Sequence, residues 1–202
     1  MSLLNFFCKN KERKEVVETY YERLLRLKPI IESSDKIINN ISSVFSHVYL
    51  NQNLEDKIKF LGRGNQHILY NVGKIEDSIN ERDVHITVKL SHAFPYNLND
   101  ETSWMLINEN LTEFEQCFKN GDNPPYFCGI INWKNNDSKI AGMILEDVSE
   151  NKKYTLCERG KKGNFKRIED GKIFYLDPLV LGTSCVSHYS NKKAIINIYP
   201  DK

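Results

Sequence analysis

The apolar residues of this chain change their spacing once, and that change constrains the fold more than any other feature. Up to about residue 50 they recur every three to four positions, as they do along one face of an amphipathic helix. From about residue 57 they form short runs separated by turns, several of them alternating, which is typical of strands. We therefore expect an α+β fold in which an N-terminal helical segment, residues 1–53, packs on a mostly antiparallel sheet with one long helix, residues 54–202.

Two helices are predicted in the N-terminal segment. The first covers residues 12–28, and Pro29 predicts a stop or a kink near Lys28 because proline lacks the N–H that a helix interior needs. Ser33–Asp35 offers an N-cap for the second helix. Its apolar side chains keep a helical spacing, and we expect it to end near Asn51–Asn53.

The remainder of the chain is predicted to be mainly strands, joined by turns and interrupted by one helix. The helix is favoured where apolar side chains recur at helical spacing between a cap at Asn99 or Asp100 and an Asn-Gly stop. In chain order we expect a hairpin of residues 58–61 and 68–72, a strand at 84–90, the helix at 99–119, strands at 126–133 and 139–146, and shorter strands at 154–157, 164–168, 172–176 and 193–199.

The charge of the chain is balanced overall but unevenly distributed. The 28 Lys+Arg and 27 Asp+Glu give a net charge of +1, which argues against an electrostatic nucleic-acid binder. Residues 152–172 nevertheless hold eight basic residues against three acidic ones, whereas residues 91–118 hold five carboxylates and no Lys or Arg. This polarity favours recognition of another protein, with a solvated hairpin as the alternative for the basic stretch. The candidate partner-binding residues are Lys152, Lys153, Arg159, Lys161, Lys162, Lys166 and Arg167.

Cysteine spacing and the absence of a long apolar run point to a reducing compartment. No two of the five cysteines lie within ten residues of each other, so neither a disulfide framework nor a CxxC zinc site is predicted. The histidines are scattered as well, and we expect no metal site. No run approaches the roughly 20 apolar residues of a membrane span. We expect a cytoplasmic protein, or one delivered into a host cytoplasm, and residues 1–14 are a candidate for peripheral membrane contact, with docking on the domain as the alternative.

A glycine turn is the strongest candidate for chemistry. Gly62 and Gly64 flank one residue between two predicted strands. Glycine tolerates a positive φ and has no Cβ, so such a turn can bring backbone N–H groups close to phosphates, although an ordinary β-turn is the alternative. Lys89 follows in mid-strand, seventeen residues after Val72, and an inward-facing ammonium there needs a partner.

In this order the motifs resemble the small lobe of a protein kinase, over residues 57–150. In that family a glycine-rich hairpin covers the ATP phosphates, and a strand lysine pairs with them and with a helix glutamate. The resemblance implies ATP and magnesium as ligands, and Gly62, Gly64, Lys89 and either Glu109 or Glu113 as nucleotide-binding residues. The matching residues are Leu61, Gly62, Gly64, Leu69, Tyr70 and Val72, then Val88 and Lys89, then Glu109 or Glu113, then Ile144, Leu145 and Glu146.

The chain also departs from the kinase pattern. His67 stands where the family often has a third glycine, and the sequence contains no His-Arg-Asp catalytic loop. Asp177 matches the magnesium-binding aspartate in position, but Pro-Leu follows it in place of Phe-Gly. About thirty residues separate the hinge-like segment from Asp177, which we expect to be too few for the helical large lobe of a kinase.

Two hypotheses from different classes follow. The first is a non-enzymatic protein-binding module of a pseudokinase-like scaffold, inhibitor, immunity or effector type, which engages a partner protein through charged surfaces. The alternative is a trimmed kinase-like phosphotransferase that uses Gly62, Gly64, Lys89, Glu113 and Asp177. ATP binding that depends on magnesium and Lys89 is expected of the second.

Overall fold

The structure is a computed structural model. It describes residues 18, 20–107, 128–135, 138–147, 154–156, 164–168, 171, 173–175 and 195–199. The elements in chain order are α1 (Tyr20–Glu32), α2 (Asp35–Leu50), β1 (Lys59–Arg63), β2 (His67–Asp77), β3 (Arg82–Ser91), β4 (Tyr96–Asn97), α3 (101–107), β5 (Cys128–Asn135), β6 (Ser138–Glu146), β7 (Tyr154–Leu156), β8 (Asn164–Arg167), β9 (Ile173–Tyr175) and β10 (Ile195–Ile198).

The two N-terminal helices are present, and one of their predicted ends is wrong. Ser34 caps α2 as expected, since its side chain accepts a hydrogen bond from the N–H of Ile37. The predicted stop near Lys28 is not observed, because α1 continues through Pro29 to Glu32. The carbonyl of Pro29 still accepts from the N–H of Ser33, and the next turn is anchored in the core by the fully buried Ile31.

The strands form one large and one small sheet. Six strands of the large sheet follow the order β1-β2-β3-β6-β5-β10, and β4 also pairs with β6, which makes it seven-stranded. All of its pairings are antiparallel except that of β10 with β5. The strands β7, β8 and β9 form a separate antiparallel sheet. The α+β class, with N-terminal helices followed by a mostly antiparallel sheet, is therefore confirmed. Of the predicted long helix, residues 101–107 are helical and residues 108–119 lie outside the described residues.

One face of the large sheet, called the helix face from here on, packs against α1 and α2. Gly142 on β6 lets α2 approach closely, because a Cβ at this position would lie 2.8 Å from Cζ of Phe45 and 2.3 Å from Cδ2 of Leu90. Phe45 also stacks on Trp133 of β5, with ring centroids 5.3 Å apart. Buried residues of α1, α2 and the sheet form one hydrophobic cluster. Across the described part of the chain, no helix has both the length and the apolar composition needed to cross a membrane.

A largely buried cluster of six charged side chains, which includes Glu18 beside Arg26, fastens α1 to the sheet. Nε of Arg23 lies 3.1 Å from Glu146, and Nη1 of Arg26 lies 2.6 Å from Asp77. Arg82 completes the cluster with a contact of 2.6 Å to the other carboxylate oxygen of Glu146. Burial raises the pKa of Asp77, but its hydrogen bonds to Arg26 and Asn80 and the charges of Arg26 and Arg23 lower it to about 2. Asp77 is therefore ionised at neutral pH although it is fully buried.

The charged cluster makes Asp77 the carboxylate whose loss should cost most. We expect Asp77→Asn to lower the free energy of unfolding by about 3 kcal/mol, because the cluster would keep three arginines but only two carboxylates, Glu18 and Glu146, and would carry an uncompensated positive charge. Asp83→Asn is the matched control: Asp83 lies in the same hairpin and pairs with Lys74, but both side chains are about half exposed, so we expect no measurable change. Urea denaturation checks both variants, and an equal effect of the two would show that the cluster does not fasten α1.

Candidate functional site

The sheet register brings the glycine turn and Lys89 into one row. Gly62 pairs with Leu69 on β2, Leu69 pairs with Lys89 on β3, and Lys89 pairs with Met143 on β6. Cross-strand partners share a face of a sheet, and Met143 follows Gly142, so this row lies on the face opposite the helix face. We call it the site face. Neighbouring strands are about 4.8 Å apart, which places the Cα atoms of Gly62 and Lys89 about 10 Å from each other.

The two glycines of the turn are not required by the packing of the fold. Neither Gly62 nor Gly64 has a positive φ, so the expectation that the turn exploits this freedom of glycine is wrong. Among the described residues, a Cβ at Gly62 would meet no atom within 4 Å, and at Gly64 it would meet the carbonyl of His67 at 3.8 Å. Gly73 differs, because its φ of 125° and the nearby Ile37 exclude a side chain. The space beside Gly62 is thus available to a ligand.

The turn is held in place by His92, which follows β3. Gly64 donates its N–H to the carbonyl of His67 at 2.8 Å and closes the hairpin. The backbone N–H of His92 donates to the carbonyl of Gln66 at 3.0 Å, and its ring Nε2 lies 2.9 Å from the carbonyl oxygen of Gly64. A carbonyl only accepts, so Nε2 carries the proton and Nδ1 is the acceptor that faces Arg63 at 3.3 Å. The spacing of histidines in the sequence gives no signal for this role.

His67 occupies the site face beside Lys89. It pairs with Ser91 in the register next to the pair of Leu69 and Lys89. Its Nε2 lies 2.8 Å from the hydroxyl of Tyr96, which is buried. Burial, followed by the electrostatic effects of Lys89 and then His92, lowers the pKa of His67 to about 4. His67 is therefore neutral at neutral pH, and its surroundings are electropositive.

Polar side chains line the site face on the other side of Lys89. Thr87 lies two residues before Lys89 on the same face and pairs with Asn71. Nδ2 of Asn71 donates to Asp147 at 3.2 Å, and Oδ1 of Asn71 accepts from the N–H of Gly73 at 2.9 Å. The hydroxyl of Thr87 is buried and makes no hydrogen bond in the part of the chain that the structure describes. A buried hydroxyl usually has a partner, so this region of the sheet has hydrogen-bonding capacity that the fold leaves unused.

Several predicted site residues lie outside the described residues. These are Glu109, Glu113, Asp177, Lys152, Lys153, Arg159, Lys161, Lys162 and residues 1–14. Lys166 and Arg167 lie in β8, of which the backbone is described. Of the predicted nucleotide-binding residues, the structure brings together Gly62, Gly64 and Lys89. Within the described ranges no group of three His, Cys, Asp or Glu side chains is placed to hold a metal ion.

A groove of about 480 Å³ lies away from this site, between α2 and the end of β10. Most of its lining is neutral and polar, including Asn39, Ser43, Ser46 and Gln52, and Tyr199 lies at its edge. It contains none of the residues that the sequence singles out. Comparisons of the chain with protein-family models, with curated proteins and with solved structures found no match.

The lowered pKa of His67 should be visible in solution. Because its pKa in the folded state, about 4, is below the usual 6.5, the unfolded chain binds the proton first as the pH falls. The contribution of His67 to stability is therefore complete above pH 6.5 and is lost between pH 6.5 and about 4. We expect the ring resonances of His67 to titrate near pH 4 by NMR, and His67→Gln to flatten the pH dependence of the unfolding free energy. Titration of this ring near pH 6.5 would contradict its burial beside Lys89.

Proposed function

We propose that this chain is a non-enzymatic, pseudokinase-like binding module. It holds a nucleoside triphosphate on the site face and engages a partner protein through its charged surfaces, in a cytoplasm that is its own or that of a host. The observation that carries the nucleotide half is the row in which Gly62 and Lys89 share one face of the sheet, separated by Leu69. Such a row has space for a phosphate beside Gly62, where the packing of the fold does not require a glycine. The ammonium of Lys89 lies on the same face.

The order of the elements supports the same proposal. The hairpin β1–β2 is followed by β3 with Lys89, by a helix that begins at residue 101, and by the strands β5 and β6. This is the order that the kinase resemblance implies. The polar side chains of Thr87 and Asn71 continue the site face beyond Lys89, and of the two the hydroxyl of Thr87 is the group without a hydrogen-bond partner in the described part of the chain.

The protein-binding half rests on the distribution of charge along the sequence. Residues 152–172 are strongly basic and residues 91–118 carry carboxylates as their only charged groups, so the two stretches can orient a partner of complementary charge. The proposal is limited to binding because the sequence lacks the catalytic-loop motif on which phosphate transfer depends in the family that it resembles.

Nucleotide binding is tested by a thermal-shift titration with ATP and Mg²⁺. At a ligand concentration of about 100 times the Kd, we expect stabilisation of about 2.7 kcal/mol, which raises the Tm by several degrees. Lys89→Ala should abolish the shift, and Lys89→Met, which keeps the apolar stem, guards against a trivial loss of folding. Lys74→Met at the far end of the same hairpin is the control and should keep the shift. If millimolar ATP does not raise the Tm of the unmodified chain, the proposal of nucleotide binding is wrong. Transfer of the γ-phosphate would favour the phosphotransferase alternative.

Charge reversal tests the protein-binding half. A pull-down is first made with the unmodified chain, and the most enriched partner is purified and titrated against variants. We expect Lys161→Glu with Lys162→Glu, or Glu113→Lys with Glu115→Lys, to weaken this complex by about tenfold or more, because a rim of like charges costs several kcal/mol. Added salt should weaken the unmodified complex in the same direction. If neither pair of charge reversals changes the affinity of this complex, charged surfaces are ruled out as the means of recognition.

A further inference from the structure

We infer that the phosphate charge of the bound ligand is neutralised by Arg63 at the glycine turn together with Lys89, with His92 positioning the guanidinium, so that a polyphosphate binds without a divalent cation. This inference rests on the proposed nucleotide site and concerns how that site handles charge. It adds Arg63 and His92 to the residues that the sequence singled out.

Arg63 is the exposed residue between the two glycines, and it is unusual among the arginines of the chain. Of the four arginines whose side chains the structure describes, it alone makes no ion pair with a carboxylate there. Its contacts are instead to the ring nitrogens of His92, at 3.3 and 3.4 Å. Of the two ring nitrogens only Nδ1 can accept, at 3.3 Å, because Nε2 carries the proton that it donates to Gly64. A hydrogen bond of this length is weak, and a phosphate oxygen is a far better acceptor for a guanidinium.

Cationic groups stand on both sides of the turn. Arg63 pairs with Ile68, and Ile68 pairs with Leu90 of the helix face, so Arg63 lies on the helix face. Lys89 lies on the site face. Several negative charges in a row satisfy such an arrangement better than a single phosphate does, so the ligand class is a polyphosphate chain.

His92 acts here as a positioning residue. It holds the carbonyls of Gly64 and Gln66, so these oxygens point toward the histidine and not toward an incoming anion. The same ring keeps the guanidinium of Arg63 beside the turn. A ligand that binds Arg63 would therefore meet a turn whose backbone is already held in one conformation.

Isothermal titration of the full chain with ATP and with inorganic triphosphate, each in EDTA and in Mg²⁺, tests this inference. We expect the Kd in EDTA to stay within about threefold of that in Mg²⁺, which is a small free-energy difference. Arg63→Gln should weaken both ligands by about tenfold, and Arg63→Lys, which keeps the charge, should recover part of the loss. Lys74→Gln removes the same charge from an exposed site at the other end of β2 and should change the Kd by less than about twofold.

The possible results separate the two proposals. Binding of ATP that weakens by more than about tenfold in EDTA and ignores Arg63→Gln would overturn this inference and leave the nucleotide site standing. Binding of triphosphate as tight as that of ATP would support the inference and assign recognition to the polyphosphate. No binding of either ligand in either condition would overturn both proposals.

Discussion

The charged cluster under α1 is the interaction on which the arrangement of this molecule depends. Asp77 and Glu146 are buried with Arg23, and charges in such a position are stable only when each has its partner. Asp77 ends β2 and Glu146 ends β6, so the cluster joins a helix to the ends of two strands that are not neighbours in the sheet. By fixing α1 and, through the shared core, α2 on one face, it leaves the row of Gly62, Leu69 and Lys89 on the opposite face.

The end of β6 shows how adjacent residues serve the two faces. The carboxylate of Glu146 points to the helix face and pairs with Arg23 and Arg82, whereas the next residue, Asp147, accepts a hydrogen bond from Asn71 on the site face. In the kinase resemblance this segment leads into the hinge, and the structure gives its first carboxylate a role in stability. A substitution of Glu146 would therefore lower the stability of the fold, and its effect on ligand binding could not be separated from that loss. Ligand binding is better tested by substitutions of Lys89 and Arg63.

Local patterns in the sequence predicted the elements well, and long-range contacts account for what it missed. Apolar periodicity predicted the helices and strands, and Ser34 predicted the cap of α2, because each of these signals is contained in a few consecutive residues. The continuation of α1 through Pro29 depends on the burial of Ile31 against the core, which periodicity cannot measure. The hydrogen bond from the ring of His92 to the carbonyl of Gly64 joins residues 28 positions apart, so no local spacing in the sequence predicts it. The motif order did suggest that Gly62 and Lys89 belong together, and the register of β1, β2 and β3 supplies the reason.

Comparing the glycines with one another, and the arginines with one another, singles out the turn formed by Gly62, Arg63 and Gly64. Gly142 is needed because Phe45 and Leu90 fill the space of a side chain, whereas Gly62 faces open space. Arg23 likewise pairs with buried carboxylates, whereas the polar contacts of Arg63 in the described part of the chain are to the ring of His92. The net charge of +1 therefore conceals a local surplus of positive charge at the turn. Open space beside Gly62 and an arginine that pairs with no carboxylate in the described part of the chain meet at one hairpin, and the anionic ligand that we propose would account for both.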